Sequence, residues 1–185
     1  MAWCVLLITQ PFLARRARAW HRAGGVASYV VAPAVVLSAL LLAHQRFAAM
    51  DAATLDREGR TCTRRSRPRL FAPAYGGGVL WRRDRAAHAR FLVTTAFPLI
   101  DPVVGRLTAF YLPPLPGYLW YQVITFGAGD LVLAWLAWRD RHSPSGWVLR
   151  VMLAWTLLVH AGWFTLAGGD QWLAAARWFA RLPLT

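Results

Sequence analysis

The distribution of apolar residues along the chain restricts its fold more than any motif does. A helix needs about 20 residues to cross the ~30 Å hydrocarbon core of a bilayer, and four apolar blocks of that length are separated by polar stretches. These blocks are 24–43, 91–110, 118–138 and 147–167. Only 16% of the 185 residues are charged, whereas soluble domains carry about 25%. The pattern predicts an all-α integral membrane bundle with four clear spans.

The remaining segments are less regular. Residues 70–81 are apolar, but as a helix they rise only about 18 Å, so they form a short fifth segment that crosses only if strained. Residues 1–14 are also apolar and short. Residues 45–69 form a polar linker, and the apolar spacing in 170–182 is typical of a helix lying on the membrane surface. We therefore expect a single membrane domain over residues 1–185.

The charge of the chain indicates its location. The formal net charge is +13 and all 21 basic residues are arginine. The absence of Lys and Asn, with abundant Ala, Arg, Gly and Pro, is typical of a GC-rich genome. Because the arginines flank apolar spans and form no basic recognition helix, nucleic acid is not an expected partner. We predict a multi-pass protein of the bacterial inner membrane, whose partners are the lipid bilayer and other membrane proteins or a second copy.

Two orientations of the N-terminal half remain open. If 70–81 crosses, eleven arginines lie inside, nine lie outside and Arg106 lies within the membrane. If it does not cross, fourteen lie inside and six outside, again with Arg106 within the membrane. Arginine is retained on the cytoplasmic side, so charge alone favours the second arrangement. Both arrangements place Arg90 and the Arg139–His142 turn inside, and the C-terminal tail outside.

Ionisable side chains within the spans need partners or a function, because each costs a few kcal/mol to insert. They are Asp101, Arg106, Asp130 and His160. Asp101, Arg106 and Asp130 are predicted to form one buried network between the second and third clear spans. The network either locks two helices together or serves as a proton path, ion path or substrate site.

The histidines form a second group. If 70–81 crosses, His21 and His88 share the inner surface, and His44 and His160 both lie toward the outer surface. Two imidazoles from facing helices can hold one haem b edge-on in a bundle. The alternatives are a non-haem metal, or histidines that merely join interfacial basic clusters. His142 is predicted to be solvated in its turn.

No enzyme class is indicated by the sequence. Cys4 and Cys62 form no CxxC or Cys/His cluster, and there is no nucleophile beside a base, no phosphate loop and no metal-hydrolase spacing. An enzyme is therefore not the expected outcome.

Two helix starts carry a family resemblance. The phrase WHRAGGVASY, Trp20–Tyr29, opens one span, and RAAHARFL, Arg85–Leu92, opens another that leads into LIDPVVGR, Leu99–Arg106. This pairing resembles a group of uncharacterised bacterial multi-pass membrane proteins. More distantly, it is similar to transmembrane b-type cytochromes and haem-handling oxidase-assembly proteins.

The matched depths of the histidines, the many aromatic residues and the resemblance together indicate a haem-associated or redox-related membrane protein, with His21 and His88 as the first ligand pair and His44 with His160 as a second. The resemblance also implies a complete helix between the two motifs, where residues 57–78 are instead rich in Arg, Pro and Gly. The alternatives are a structural or assembly protein and a small transporter or proton-path protein.

Thiol labelling in intact cells tests the predicted orientation. A cysteine introduced at Ser145 should be protected from an impermeant reagent, and one at Thr185 should react, because the first lies inside and the second outside. The opposite labelling would refute the topology. Reaction at the native Cys62 would indicate that residues 70–81 return through the membrane, whereas protection would indicate the flipped N-terminal half.

Overall fold

The computed structural model describes residues 2–50, 67–111, 118–166 and 169–184. Every regular element in these ranges is an α-helix, so the predicted all-α class is confirmed. The helices are α1 (Ala2–Arg16), α2 (Arg18–Ala48), α3 (Arg67–Leu80), α4 (Arg85–Thr94), α5 (Phe97–Tyr111), α6 (Tyr118–Arg139), α7 (Trp147–Leu166) and α8 (Asp170–Ala180).

Three helical stretches are long and apolar enough to cross a membrane: Arg18–Ala48, Arg85–Tyr111 and Trp147–Thr165. The first contains the predicted span 24–43 but begins earlier and ends later. The second joins α4 and α5 across a turn at Thr95. These three stretches fit the prediction of a helical membrane protein.

The other predicted segments are also helical. Helix α6 covers the predicted span 118–138 with 22 residues, but it is not one of the three stretches found among the described residues, so the fourth span stays a prediction. Helix α3, with 14 residues, covers the predicted segment 70–81 up to Leu80 and continues through its proline and three glycines. Most of the linker predicted at 45–69 lies outside the described residues.

The chain divides into two compact units, of which the first comprises Met1–Pro68 and Ala161–Thr185. Here α1 packs against the beginning of α2, and α8 packs against the other end of α2. Phe47 and Ala176 form a small buried core with Met50 and Phe179 around it. Helix α8 covers most of residues 170–182, where the sequence predicts a helix on the membrane surface; that it lies on a membrane stays a prediction.

The second unit comprises Arg69–His160. Helices α5 and α6 pack along each other, and the core draws on five helices. Its buried members are Ala74, Ala87, Phe91, Phe97, Leu133, Ala137, Val148, Leu149 and Met152. The described residues thus fall into two units within the predicted single membrane domain, which stays a prediction.

Bulky apolar side chains also cover the outside of the helices. In α2, Val26, Val30 and Leu37 are 66%, 73% and 58% exposed, and Leu131 in α6 and Leu158 in α7 are similarly open. Soluble monomers rarely expose contiguous apolar surface on this scale. A hydrocarbon environment covers such faces without any protein partner.

Glycines let α3 approach α4 closely. A Cβ on Gly77 would lie 2.5 Å from the ring of Phe91, and one on Gly78 would lie 2.9 Å from the Leu92 side chain. The Phe91 ring has little room to move, because it packs against the rings of Trp81 and Trp147 with centroids 5.6 and 5.9 Å away. Small residues permit this kind of contact between membrane helices.

Replacing one glycine at a time tests this contact. Gly77→Ala should lower the free energy of unfolding by about 1–3 kcal/mol, because the added methyl overpacks against Phe91. Gly76→Ala is the matched control: nothing lies within 4 Å of its Cβ position, so it should be neutral or stabilise the helix by up to about 1 kcal/mol. Unfolding in detergent measures both, and equal effects would contradict the close approach.

Candidate functional site

Two polar clusters lie in the second unit. The first joins the turn before α4 to the turn between α6 and α7, which we call the arginine end: residues 81–85 and 139–146 with Arg90 and Arg150. The second joins α6 to α7 around His160. His160 lies 13 residues beyond Trp147, which is about 20 Å along α7, so the two clusters occupy different depths.

Asp84 organises the first turn. Its carboxylate caps α4 by accepting hydrogen bonds from the backbone N–H groups of Ala86 and Ala87, at 2.9 and 3.0 Å. The hydroxyl of Ser145 donates to the other carboxylate oxygen at 3.3 Å. The N–H of Ala87 first, with those of Ala86 and the Ser145 hydroxyl, lowers the pKa of Asp84 below its usual value, because these donors favour the ionised form.

Arg90 ties α4 to the second turn. Its Nη2 donates to Asp140 Oδ1 and to Ser143 Oγ, both at 2.8 Å, and its Nε donates to Asp140 Oδ2. Its Nη1 donates to the carbonyl of Ala86 at 2.9 Å. Bidentate pairing of this kind is both strong and directional. The hydrogen bonds from Arg90 lower the pKa of Asp140.

The second cluster is the pair Asp130 and His160, with Phe126. The Nδ1 of His160 lies 3.0 Å from Asp130 Oδ2, and the imidazole stacks on the Phe126 ring with centroids 4.0 Å apart and planes 2° from parallel. The side chains of His160 and Asp130 are 6% and 19% exposed. Both contacts fix the plane of the imidazole.

One polar atom on each side chain of this pair makes no described hydrogen bond. Nε2 of His160 and Oδ1 of Asp130 are buried, and neither has a hydrogen-bond partner among the described residues. An Nδ1–H that donates to a carboxylate places the lone pair of a neutral imidazole on Nε2. Histidine ligands of metals are held in this way by their outer partners, and a proton-carrying histidine needs the same free nitrogen.

His88 is held similarly. Its Nδ1 lies 2.7 Å from the carbonyl oxygen of Gly78, a contact in which the Nδ1–H donates, so the lone pair falls on Nε2. The carbonyl belongs to the C-terminal part of α3, and this bond therefore also connects α3 to α4. His142, by contrast, is exposed in its turn, as the sequence predicted.

The other two predicted ligands, His21 and His44, belong to the first unit. His44 is 1% exposed and meets the Phe179 ring edge-on with centroids 5.3 Å apart. His21 is half-buried and its Nδ1 has no partner in the described chain. Each predicted pair thus takes one histidine from each unit, and both pairings stay predictions.

The predicted Asp101–Arg106–Asp130 network is described only in part. The Asp101 side chain lies outside the described residues. Arg106 is exposed close to the C-terminal end of α5, where a long arginine side chain can reach the membrane interface. The partner that Asp130 contacts is His160, and the network as a whole stays a prediction.

Comparison with known protein families, characterised proteins and solved structures gives no match. In the described part of the chain, no group of three or more His, Cys, Asp or Glu residues is arranged to hold a metal ion. The site must therefore be interpreted from its own geometry.

Sequence reasoning identified Asp130 and His160 as buried polar residues but paired them with other partners. It missed the ion pair of Arg90 with Asp140 entirely. The sequence contained a signal for the ion pair, because Arg90 lies near the start of one helix, Asp140 lies at the end of another, and both positions were predicted to lie on the inner side. The contact between α6 and α7 that brings Asp130 to His160 could not be predicted from the sequence of either helix alone.

The Arg90–Asp140 pair provides a pH-dependent test. Arg90→Gln should cost about 1 kcal/mol of unfolding free energy at neutral pH. Because the folded pKa of Asp140 lies below the ordinary 3.8, the contribution is complete above that value and disappears as the pH falls through the folded pKa. The difference between the parent and the variant should therefore shrink below about pH 4.

Arg83→Gln is the control for the same change of charge. Arg83 is exposed, so its replacement should change the unfolding free energy by no more than about 0.5 kcal/mol. Denaturant titration in detergent measures both variants. A difference from the parent that stays constant into acid, or equal losses for both variants, would contradict the structural role of the pair.

Proposed function

We propose that this chain is a four-span protein of the bacterial inner membrane that holds haem b through histidine ligands, with His160 as the best-supported ligand. The observation that carries the proposal is the buried Nε2 of His160, left without a described partner by a ring whose Nδ1 is bound to Asp130. Helix α6 is then the fourth span, beside the three helical stretches of sufficient length and hydropathy.

The residues present fit a haem ligand in three respects. The carboxylate of Asp130 selects the Nε2 lone pair and makes the imidazole a better donor to iron. Phe126 supports the ring face, and burial excludes competing water. The Nδ1–H of His88 donates to the Gly78 carbonyl, which leaves the lone pair of His88 on Nε2 as well. The pairing of His88 with His21 and of His160 with His44 stays a prediction from the sequence.

Bound haem would supply one-electron transfer. The chain itself would supply the ligand nitrogen of His160, its orientation and the local polarity. Asp130 would tune the reduction potential, because a carboxylate that accepts from the ligand's Nδ1–H stabilises the more positive ferric state. The proposal specifies no enzymatic substrate, and a role in electron transfer or oxidase assembly requires none.

A proton path is the second candidate, and one observation favours it. Asp130 Oδ1 and His160 Nε2 are both buried and without described partners within a helical pair. A carboxylate and an imidazole in hydrogen-bond contact can exchange a proton, and intramembrane pairs of this kind often belong to relays. In this alternative Asp130 and His160 carry the proton, and no haem is held.

Absorption spectroscopy distinguishes these functions. Protein purified from haem-replete cells should show a sharp visible absorption band on reduction. Because His160 is the proposed ligand, His160→Ala should reduce the intensity of this band. His142→Ala is the matched control, because His142 is exposed; its spectrum should equal that of the parent. Asp130→Asn should keep the haem and raise its midpoint potential.

A colourless preparation that takes up no added haem would reject ligation. Proton flux across liposomes that contain the protein would then separate the alternatives. Flux that is lost in Asp130→Asn would support the proton path, and no flux would leave a structural or assembly role, in which Asp130 and His160 only join α6 to α7.

A further inference from the structure

The arginine end holds far more positive charge than its own carboxylates can neutralise. Seven arginines stand there with two aspartates, Asp84 and Asp140. The arginines are Arg82, Arg83, Arg85, Arg90, Arg139, Arg141 and Arg150. Hydrogen bonds from Ser145 to Asp84 and from Arg90 to Asp140 and Ser143 hold the two turns together, so this charge is gathered on one surface.

Both local carboxylates already have partners. Asp84 is occupied as the cap of α4, and Asp140 is occupied by the two nitrogens of Arg90. Within the described residues Arg139, Arg141 and Arg150 have no carboxylate partner. Arg150 donates to the carbonyl of Arg141 instead. The surface therefore has cationic groups to offer to an external anion.

Two of these arginines contact the rings of exposed tryptophans. The guanidinium of Arg139 lies 5.4 Å from the Trp135 ring centroid, and that of Arg141 lies 4.6 Å from that of Trp138. Trp135 and Trp138 are 51% and 62% exposed. Tryptophan concentrates at the headgroup level of membranes, so Arg139 and Arg141 stand at the depth of lipid phosphates.

An open groove of about 460 Å³ lies beside Arg139. Arg139 and the Arg90–Asp140 pair line it, and its apolar walls include Val93, Leu136 and Leu149. A groove that combines cationic and apolar walls matches the two parts of a phospholipid, a phosphate and an acyl chain. A free anion would leave the apolar walls uncovered.

We infer that this groove binds an anionic phospholipid, whose phosphate contacts Arg139 and whose acyl chain lies along Val93 and Leu136. The orientation predicted from the arginine counts places this end in the inner leaflet, where anionic lipids create a negative surface potential. The binding site is separate from the Asp130–His160 pair and does not depend on haem or proton transfer.

Native mass spectrometry of the purified full chain tests the inference. With equal amounts of phosphatidylglycerol and phosphatidylcholine of matched chains, phosphatidylglycerol should be retained preferentially. Arg139→Gln should reduce its retention about fivefold, the effect of one arginine near an anionic surface. Arg181→Gln removes the same charge from an exposed position in the first unit and should leave retention unchanged.

A second variant tests the apolar wall without altering charge. Val93 is 51% exposed, so Val93→Phe should fold normally, narrow the groove and also reduce retention of phosphatidylglycerol. Equal retention of the two lipids, equal losses for Arg139→Gln and Arg181→Gln, or parental retention in Val93→Phe would each overturn the inference. Displacement of the lipid by an equal concentration of inorganic phosphate would overturn it too, since the site would then be one for a free anion.

Discussion

Hydrocarbon contains no water to satisfy a backbone N–H or C=O group, and the organisation of this chain depends on that constraint. Each apolar segment must pair its peptide groups internally, which an α-helix does. The described residues are accordingly helical even where Pro33, Pro73 and the glycines of α3 interrupt the pattern. The same constraint applies to side chains, and polar atoms inside the bundle meet one another, as Asp130 meets His160.

The two polar clusters of the second unit differ in how far their polar groups are buried and paired. At the arginine end, Arg90 and Asp140 form a pair that is only partly buried, and Arg139 and Arg141 stand exposed beside it. Around His160 the surroundings are Phe126 and packed helix surfaces, and a buried nitrogen without a described partner is costly there. That cost is the physical reason for assigning function to His160 rather than to exposed histidines such as His142.

Much of this fold could be predicted from the sequence because apolar block length is a local property. The spans at 24–43 and 147–167 lie within α2 and α7, and α8 occupies most of 170–182. The candidate site was predicted less well. His160 and Asp130 were both recognised as ionisable residues within spans, and Asp130 was placed in a network with Asp101 and Arg106 that stays a prediction. Arg106 is exposed near the C-terminal end of α5, and the contact of Asp130 with His160 was not predicted.

The sequence by itself determined the helical class, the long apolar segments that are compatible with a membrane protein, and the positions of the ionisable residues along each helix, since all three follow from composition and from spacing within a single segment. Only the tertiary structure decided which polar groups meet. The Asp130–His160 and Arg90–Asp140 contacts join residues 30 and 50 positions apart, and such contacts depend on which face each helix turns toward its neighbour. Close approaches such as Gly77 against Phe91 fix the facing surfaces of α3 and α4 in the same way, and all these contacts result from packing the helices together.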